Sequence, residues 1–180
     1  MRLTIAFLRA VNVGGRTVKM DELRRVFESL GFASVETFIA SGNVIFEAGK
    51  TQNLKAKIES ALQTSFGFDV PVFLRTSAEL VAVANYKSFT SAQLAKAAAL
   101  NIAFLDSTPT ASAIEKLMSL RTEIDDFHVH GREVYWLCRK KQSDSKFSNA
   151  VLEKALGQVS TMRGANTIQK LAAKYPLQKK

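Results

Sequence analysis

The apolar residues of this chain change their spacing in the same order twice, and few folds accept such a pattern. Leu3 to Val11 is a run of β-branched and large apolar residues that ends at the turn signal Asn12-Val13-Gly14-Gly15. Met20, Leu23, Val26, Phe27 and Leu30 then recur at helical spacing. Asp21 and Glu22 lie in the first turn, where the helix dipole favours them, and Gly31 is placed to end the helix. Two strands follow, Val35 to Ile39 and Val44 to Glu47, joined by the polar connector Ser41-Gly42-Asn43. A second helix puts Leu54, Ile58, Leu62 and Phe66 on one face before Gly67, and Val70 to Arg75 supplies a fourth strand. The order β-α-β-β-α-β is that of a ferredoxin-like unit.

The order then runs again. A connector begins with a possible capping box, Thr76 and Glu79, and continues through the alanine-rich stretch around Ala97-Ala98-Ala99. Leu100 to Leu105 reads as a strand, and Ile114, Leu117 and Met118 as a helical face after a second box of Ser112 and Glu115. Phe127 to His130 and Val134 to Arg139 form a hairpin around Gly131-Arg132. Phe147, Val151, Leu152 and Leu156 mark a helix ended by Gly157, and Val159 to Met162 a short last strand. Asn166 to Tyr175 is a terminal helix stopped by Pro176. The expected fold is α+β, two ferredoxin-like units packed together by duplication, with a connector helix and a C-terminal helix. The boundaries expected are 1–76 for repeat one, 77–99 for the connector, 100–163 for repeat two and 164–180 for the helix and basic tail.

Both faces of the leading strands are apolar: Leu3, Ile5 and Phe7 on one side, Ala6 and Leu8 with Thr4 on the other, and similarly Ile102 and Phe104 against Ala103 and Leu105. A sheet with one wet face alternates with polar residues, so each sheet must be covered on its second face as well, by the other repeat or by the connector helix.

Charge is distributed unevenly. The chain carries a formal net charge of +9, yet residues 1–131 hold 14 Lys or Arg against 13 Asp or Glu, whereas residues 132–180 hold 11 against 3. The electropositive face therefore belongs to the last quarter. No apolar run approaches the ~20 residues of a membrane helix, and Arg9 interrupts the N-terminal apolar stretch before any cleavage pattern, so a cytoplasmic protein with no membrane partner is expected. The single cysteine, Cys138, excludes an internal disulfide and reads as a buried strand residue.

Topology brings distant motifs together. In a ferredoxin-like sheet of order 4-1-3-2 the first and second strands run the same way. The loop after strand one, the hairpin Ser41-Gly42-Asn43 and the turn Gly67-Phe68-Asp69 then emerge at one end. Arg9, Asn12, Gly14, Gly15, Ser41, Gly42 and Asn43 make up a candidate ligand-binding cup whose glycines leave backbone N–H groups accessible to donate to an anionic group. In repeat two the same reasoning collects Arg139, Lys140, Lys141, Ser145, Lys146, Arg163 and Asn166 into a candidate anion-binding face. Neither a Walker loop nor G-x-G-x-x-G is present, and no cofactor is assigned. His128 and His130 fall on one side of a strand, but no third ligand is positioned by sequence to complete a metal site. Catalytic residues are likewise unassigned.

Arg9-Ala10-Val11-Asn12-Val13-Gly14-Gly15 and Phe38-Ile39-Ala40-Ser41-Gly42-Asn43-Val44-Ile45-Phe46 resemble the opening of the domain-of-unknown-function 1697 family, whose members read close to L-R-G-I-N-V-G-G and Y-I-Q-S-G-N-V-V-F. Later, Ser145-Lys146-Phe147-Ser148 resembles the family's S-K-L-T, and Thr161 to Thr167 its T-R-N-W-N-T, with Gly164-Ala165 standing where an Asn-Trp pair is usual. The resemblance implies a fold and a set of positions, not a reaction. The function expected is binding of an anionic or phosphate-bearing ligand, a small molecule or nucleic acid, through the basic face. The alternatives are an enzyme acting on a small anionic metabolite between the repeats, and an assembly protein without a small ligand. Stacking of RNA bases on strands one and three is disfavoured, because the motif around Phe46 lacks further aromatic positions.

Overall fold

The computed structural model describes residues 2–12, 14–39 and 42–176. They form two compact units, one holding the described residues to Val81 together with those from Leu171, the other Ala82–Lys170.

Unit one is built from β1 (Arg2–Leu8), α1 (Met20–Ser29), β2 (Ala33–Thr37), β3 (Asn43–Ala48), α2 (Leu54–Phe66) and β4 (Val72–Thr76), followed by the start of α3 (Ser77–Asn85). The strands form an antiparallel sheet in the order β2-β3-β1-β4. Ala6, Leu8, Val44, Phe46 and Val72 meet Leu23, Val26 and Phe27 of α1 and Ile58 and Leu62 of α2 in one core. Phe46 stacks on Phe32 at 4.7 Å and meets Phe27 edge-on at 5.2 Å, which fills the space under α1 with rings.

The opposite face is buried too: Ile5, Phe7, Ile45 and Phe73 are inaccessible, as the two-sided apolar strands require. Where that face reaches β2, Lys174 Nζ and Tyr175 Oη both donate to Glu36 Oε2, at 2.8 and 2.6 Å. These two donors hold the Glu36 carboxyl below its ordinary pKa. β1 stops at Leu8, three residues short of the apolar run. Leu8 N–H donates to Gly42 O and Arg9 N–H to Pro71 O, and Ala10 takes a left-handed φ of 58° that no strand continues through.

Unit two contains the end of α3, α4 (Ser91–Ala95), β5 (Ala99–Phe104), α5 (Ala111–Met118), β6 (Asp125–His130), β7 (Glu133–Cys138), a 3-10 turn (Gln142–Asp144), α6 (Asn149–Leu156), β8 (Thr161–Gly164) and the first part of α7 (Ala165–Lys174). Its sheet repeats the order, β6-β7-β5-β8, again antiparallel throughout. Ala103, Leu105, Phe127, Val134 and Trp136 pack beneath Leu117 of α5 and Leu152 and Leu156 of α6. The indole Nε1 of Trp136 donates to the buried Asp125 at 2.8 Å. On the second face Tyr135 Oη donates to Val83 O at 3.2 Å, and burial raises the Tyr135 phenol well above its usual pKa. The architecture is thus two β-α-β-β-α-β sheets with a C-terminal helix.

Two helix starts depart from the sequence reading. α5 is capped by Thr110, whose hydroxyl accepts from Ala113 N–H, and not by Ser112. Thr110 follows Pro109 in extended backbone, so the helix has a start signal two residues earlier. A reciprocal box between Thr90 and Gln93 begins α4 and went unread, because Gln93 precedes no clear apolar period. Among the described residues, no helix is long and apolar enough to cross a membrane.

Candidate functional site

At one end of sheet one the N-terminal motifs meet. Asn12 Oδ1 accepts from Val18 N–H at 2.8 Å and closes the loop that carries Gly14 and Gly15. Asn43 is fully buried as the first residue of β3, and its Nδ2 donates to Phe38 O at 2.9 Å across the hairpin. Gly42 has a φ of 76°, and a Cβ there would lie 2.6 Å from Val11 Cγ2, so only glycine allows the hairpin to seat on the β1 loop. Arg16 stacks its guanidinium over Phe68 at 4.5 Å, which brings the third turn to the same place. Arg9 is half-buried, and Gly14 and Gly15 are exposed. Ser41 lies outside the described residues. The amides of Asn12 and Asn43 thus serve the loops themselves, and the spacing of the motif has a backbone explanation.

The basic residues of unit two divide into tied and exposed groups. Arg139 donates to Glu123 O and to Asp126 Oδ2, so its charge is met. Ser145 Oγ donates to Asp125 Oδ2 at 2.7 Å and accepts from Phe147 N–H, which anchors the 3-10 turn. Arg163 is buried, with Nη1 donating to Thr161 Oγ1 and Met162 O, both at 2.9 Å; burial pushes its pKa down to about 10. It therefore stands inside the fold and not on the basic surface, because strand alternation puts it beside Ile102 on the second face. Lys140, Lys141, Lys146 and Asn166 are exposed. Cys138 Sγ donates to Lys140 O, and its burial raises the thiol pKa, so it is a packed strand residue.

Lys140 and Lys141 leave β7 at the end of the sheet where β5 begins and β8 stops. Ala98 N–H donates to Cys138 O at 2.8 Å, which sets the exposed Lys96 beside that exit. At this end lies a recess of about 290 Å³ between Leu94, the stretch from Ala97 to Asn101, and Gly164, Ala165 and Asn166. Asn101 is 7% exposed, and its Nδ2 has no hydrogen-bond acceptor. It is the buried side-chain polar atom left unsatisfied among the described residues, and such a group costs about 1–3 kcal/mol. Gly164 and Ala165 bring no side-chain oxygen to the start of α7, and no described side chain accepts from its first-turn N–H groups.

Asn101 and Lys96 were not singled out by sequence reasoning. The available signal was one amide inside the apolar run Leu100-Asn101-Ile102-Ala103. A second recess, of about 340 Å³, shares the walls Leu94, Leu100 and Ala165 and is lined by the rings of Tyr86, Phe89 and Tyr135. Tyr86 is itself held by His130, stacked at 4.0 Å, and by a 2.8 Å hydrogen bond between its Oη and His128 Nε2.

These features define an α+β protein of two ferredoxin-like units, with a recess lined by small residues and two asparagines at the end of its second sheet. Over residues 1–135 the chain matches the model of the family described as "Protein of unknown function (DUF1697)", and it belongs to that family. Among curated proteins none matches it. The fold is similar to that of the solved structure of the conserved bacterial protein SP0830 from Streptococcus pneumoniae, at a TM-score of 0.77 and 23% identity, covering 98% of this chain and 99% of that one.

Proposed function

We propose that the protein binds an anionic, phosphate-bearing ligand at the end of sheet two where β5 begins. The observation that supports this reading is that Lys96, Lys140, Lys141 and Lys146 are all exposed, on the segments that enter β5 or follow β7, at the end of the sheet where β8 hands over to α7. Arg139 and Arg163, tied to acidic or backbone groups, support the fold there instead of contributing free charge. Both small phosphate-bearing molecules and single-stranded nucleic acid present the required chemistry.

The test is salt-dependent binding to a short single-stranded oligonucleotide by fluorescence anisotropy. Changing Lys140, Lys141 and Lys146 together to Ala is expected to lower the slope of log K against log salt by about 2, from roughly 0.7 per neutralised phosphate. An unchanged slope, or binding indifferent to salt in the parent protein, overturns the reading.

A further inference from the structure

The two units can be aligned position by position through their sheet registers. Ile5 pairs with Arg75 as Ile102 pairs with Arg163, and one residue away Thr4 pairs with Thr76 as Asn101 pairs with Gly164. Thr76 and Gly164 therefore occupy the same place, immediately before α3 and α7. Three residues further on, Glu79 corresponds to Thr167, and the buried Leu80 to the buried Ile168.

In unit one this place is filled. Thr76 Oγ1 accepts from Glu79 N–H at 3.2 Å, and Glu79 Oε2 accepts from Thr76 N–H at 2.8 Å, so the helix start is closed by its own reciprocal box. Thr4, Thr76 and Glu79 also line a cavity of about 650 Å³ at that end, with a carboxylate in its wall. In unit two both box residues are gone. A Cβ on Gly164 would meet nothing within 4 Å, so the space a capping side chain would occupy is open. Asn101, whose Nδ2 is buried and unpaired, is one of the residues that line the recess on this side.

Backbone N–H groups at the start of a ten-residue helix, a side-chain amide without an acceptor and no carboxylate in the wall together want an anion with several acceptor oxygens. The neighbouring recess wants something different. Its shared wall includes Leu94, a large apolar side chain left 40% exposed, and it continues past Tyr86, Phe89 and Tyr135. From these juxtaposed surfaces we infer that this end of unit two is the seat of a small ring-bearing phosphomonoester, its phosphate at the start of α7 beside Asn101 and its ring in the trough of Tyr86 and Phe89. The inference rests on the anion-binding reading above and specifies where and in what form the anion sits.

The experiment titrates the intact protein with phenyl phosphate, inorganic phosphate and phenol, following backbone and side-chain amides by heteronuclear NMR. Phenyl phosphate is expected to bind at least tenfold more tightly than inorganic phosphate or phenol, shifting the Asn101 side-chain amide and the amides of Ala165 and Asn166. The double variant Gly164→Thr with Thr167→Glu, which rebuilds the box of unit one, is expected to weaken phenyl phosphate at least tenfold. Asn101→Leu is expected to weaken it several-fold. Neither variant alters Lys96, Lys140, Lys141 or Lys146, and unchanged amide shifts in unit one together with a cooperative denaturation curve report that both are folded. Phenyl phosphate binding no tighter than inorganic phosphate, or equal binding by the box variant, overturns the proposal while leaving the lysine reading intact. Loss of the lysine effect with retained phenyl phosphate shifts would instead remove the polyanion reading alone.

Discussion

The starts of α3 and α7 are the same place in two copies of one motif, and they differ at both positions of the capping box. At α3, Thr76 and Glu79 satisfy two backbone donors between them and put a carboxylate at the end of sheet one. At α7, Gly164 and Thr167 leave those donors open, and the neighbouring strand supplies an unpaired amide from Asn101 where unit one has Thr4. A cap at a helix start contributes about 1 kcal/mol, and an unpaired buried amide costs about 1–3 kcal/mol. Unit two therefore forgoes stability at a single point. The lesson is that a helix cap is itself a ligand for the helix, so removing it converts a structural end into a receptive one.

Opening the closed end is expected to have the largest effect on stability. Thr76→Gly with Glu79→Thr gives unit one the residues of unit two, and chemical denaturation should show a loss of about 1–2 kcal/mol. A loss near zero would mean that the box of unit one is ornamental and that the comparison carries no energy. Asn101→Leu, which replaces the unpaired amide by an apolar side chain of similar size, is expected to raise stability by about 1 kcal/mol while it weakens phenyl phosphate. Destabilisation there would show that the amide has an internal partner and that the two ends are less different than they look.

The smallest effect concerns the wall of the aromatic trough. Burial lowers the pKa of His128 below 6.5, His130 and Arg121 add to the shift, and Asp126 opposes it. A lowered folded-state value means that the unfolded chain takes the proton first. The contribution of neutral His128 is then complete above about pH 6.5 and is lost as pH falls through the folded value. Denaturation of the parent and of His128→Asn at pH 7.5 and pH 5.5 checks this, the variant being expected to lose less on acidification. A parent with no such loss would leave the Tyr86 contact insensitive to protonation.

Much of the fold was legible because it depends on spacing. The two β-α-β-β-α-β orders follow from periods of 2 and 3.6, and the sheet order follows from the motif. The box of Thr76 and Glu79 could be read as well, since its partners are three residues apart. Thr110 was missed in favour of Ser112, because several hydroxyls near a helix start compete and only the backbone φ and ψ choose among them. At the candidate sites, sequence reasoning brought Lys140, Lys141, Lys146 and Asn166 to one end of a sheet. It also placed Arg163 there, where strand alternation turns it inward. Asn101 was not noticed, since an amide in a strand becomes informative only when its hydrogen-bond partners are known.

The sequence by itself determined the repeated β-α-β-β-α-β order, the membership of the DUF1697 family and the concentration of positive charge in the last quarter. These depend on local period and composition, both of which act over a few residues. Tertiary structure alone decided which charges remain available and which are tied, as Arg139 is to Asp126, and which amides are spent on loops, as Asn12 and Asn43 are. It alone set Asn101 beside Gly164, because that pairing joins residues 63 positions apart through one strand register. Hydrogen-bond satisfaction is a property of neighbours in space, and only the folded sheet supplies those neighbours.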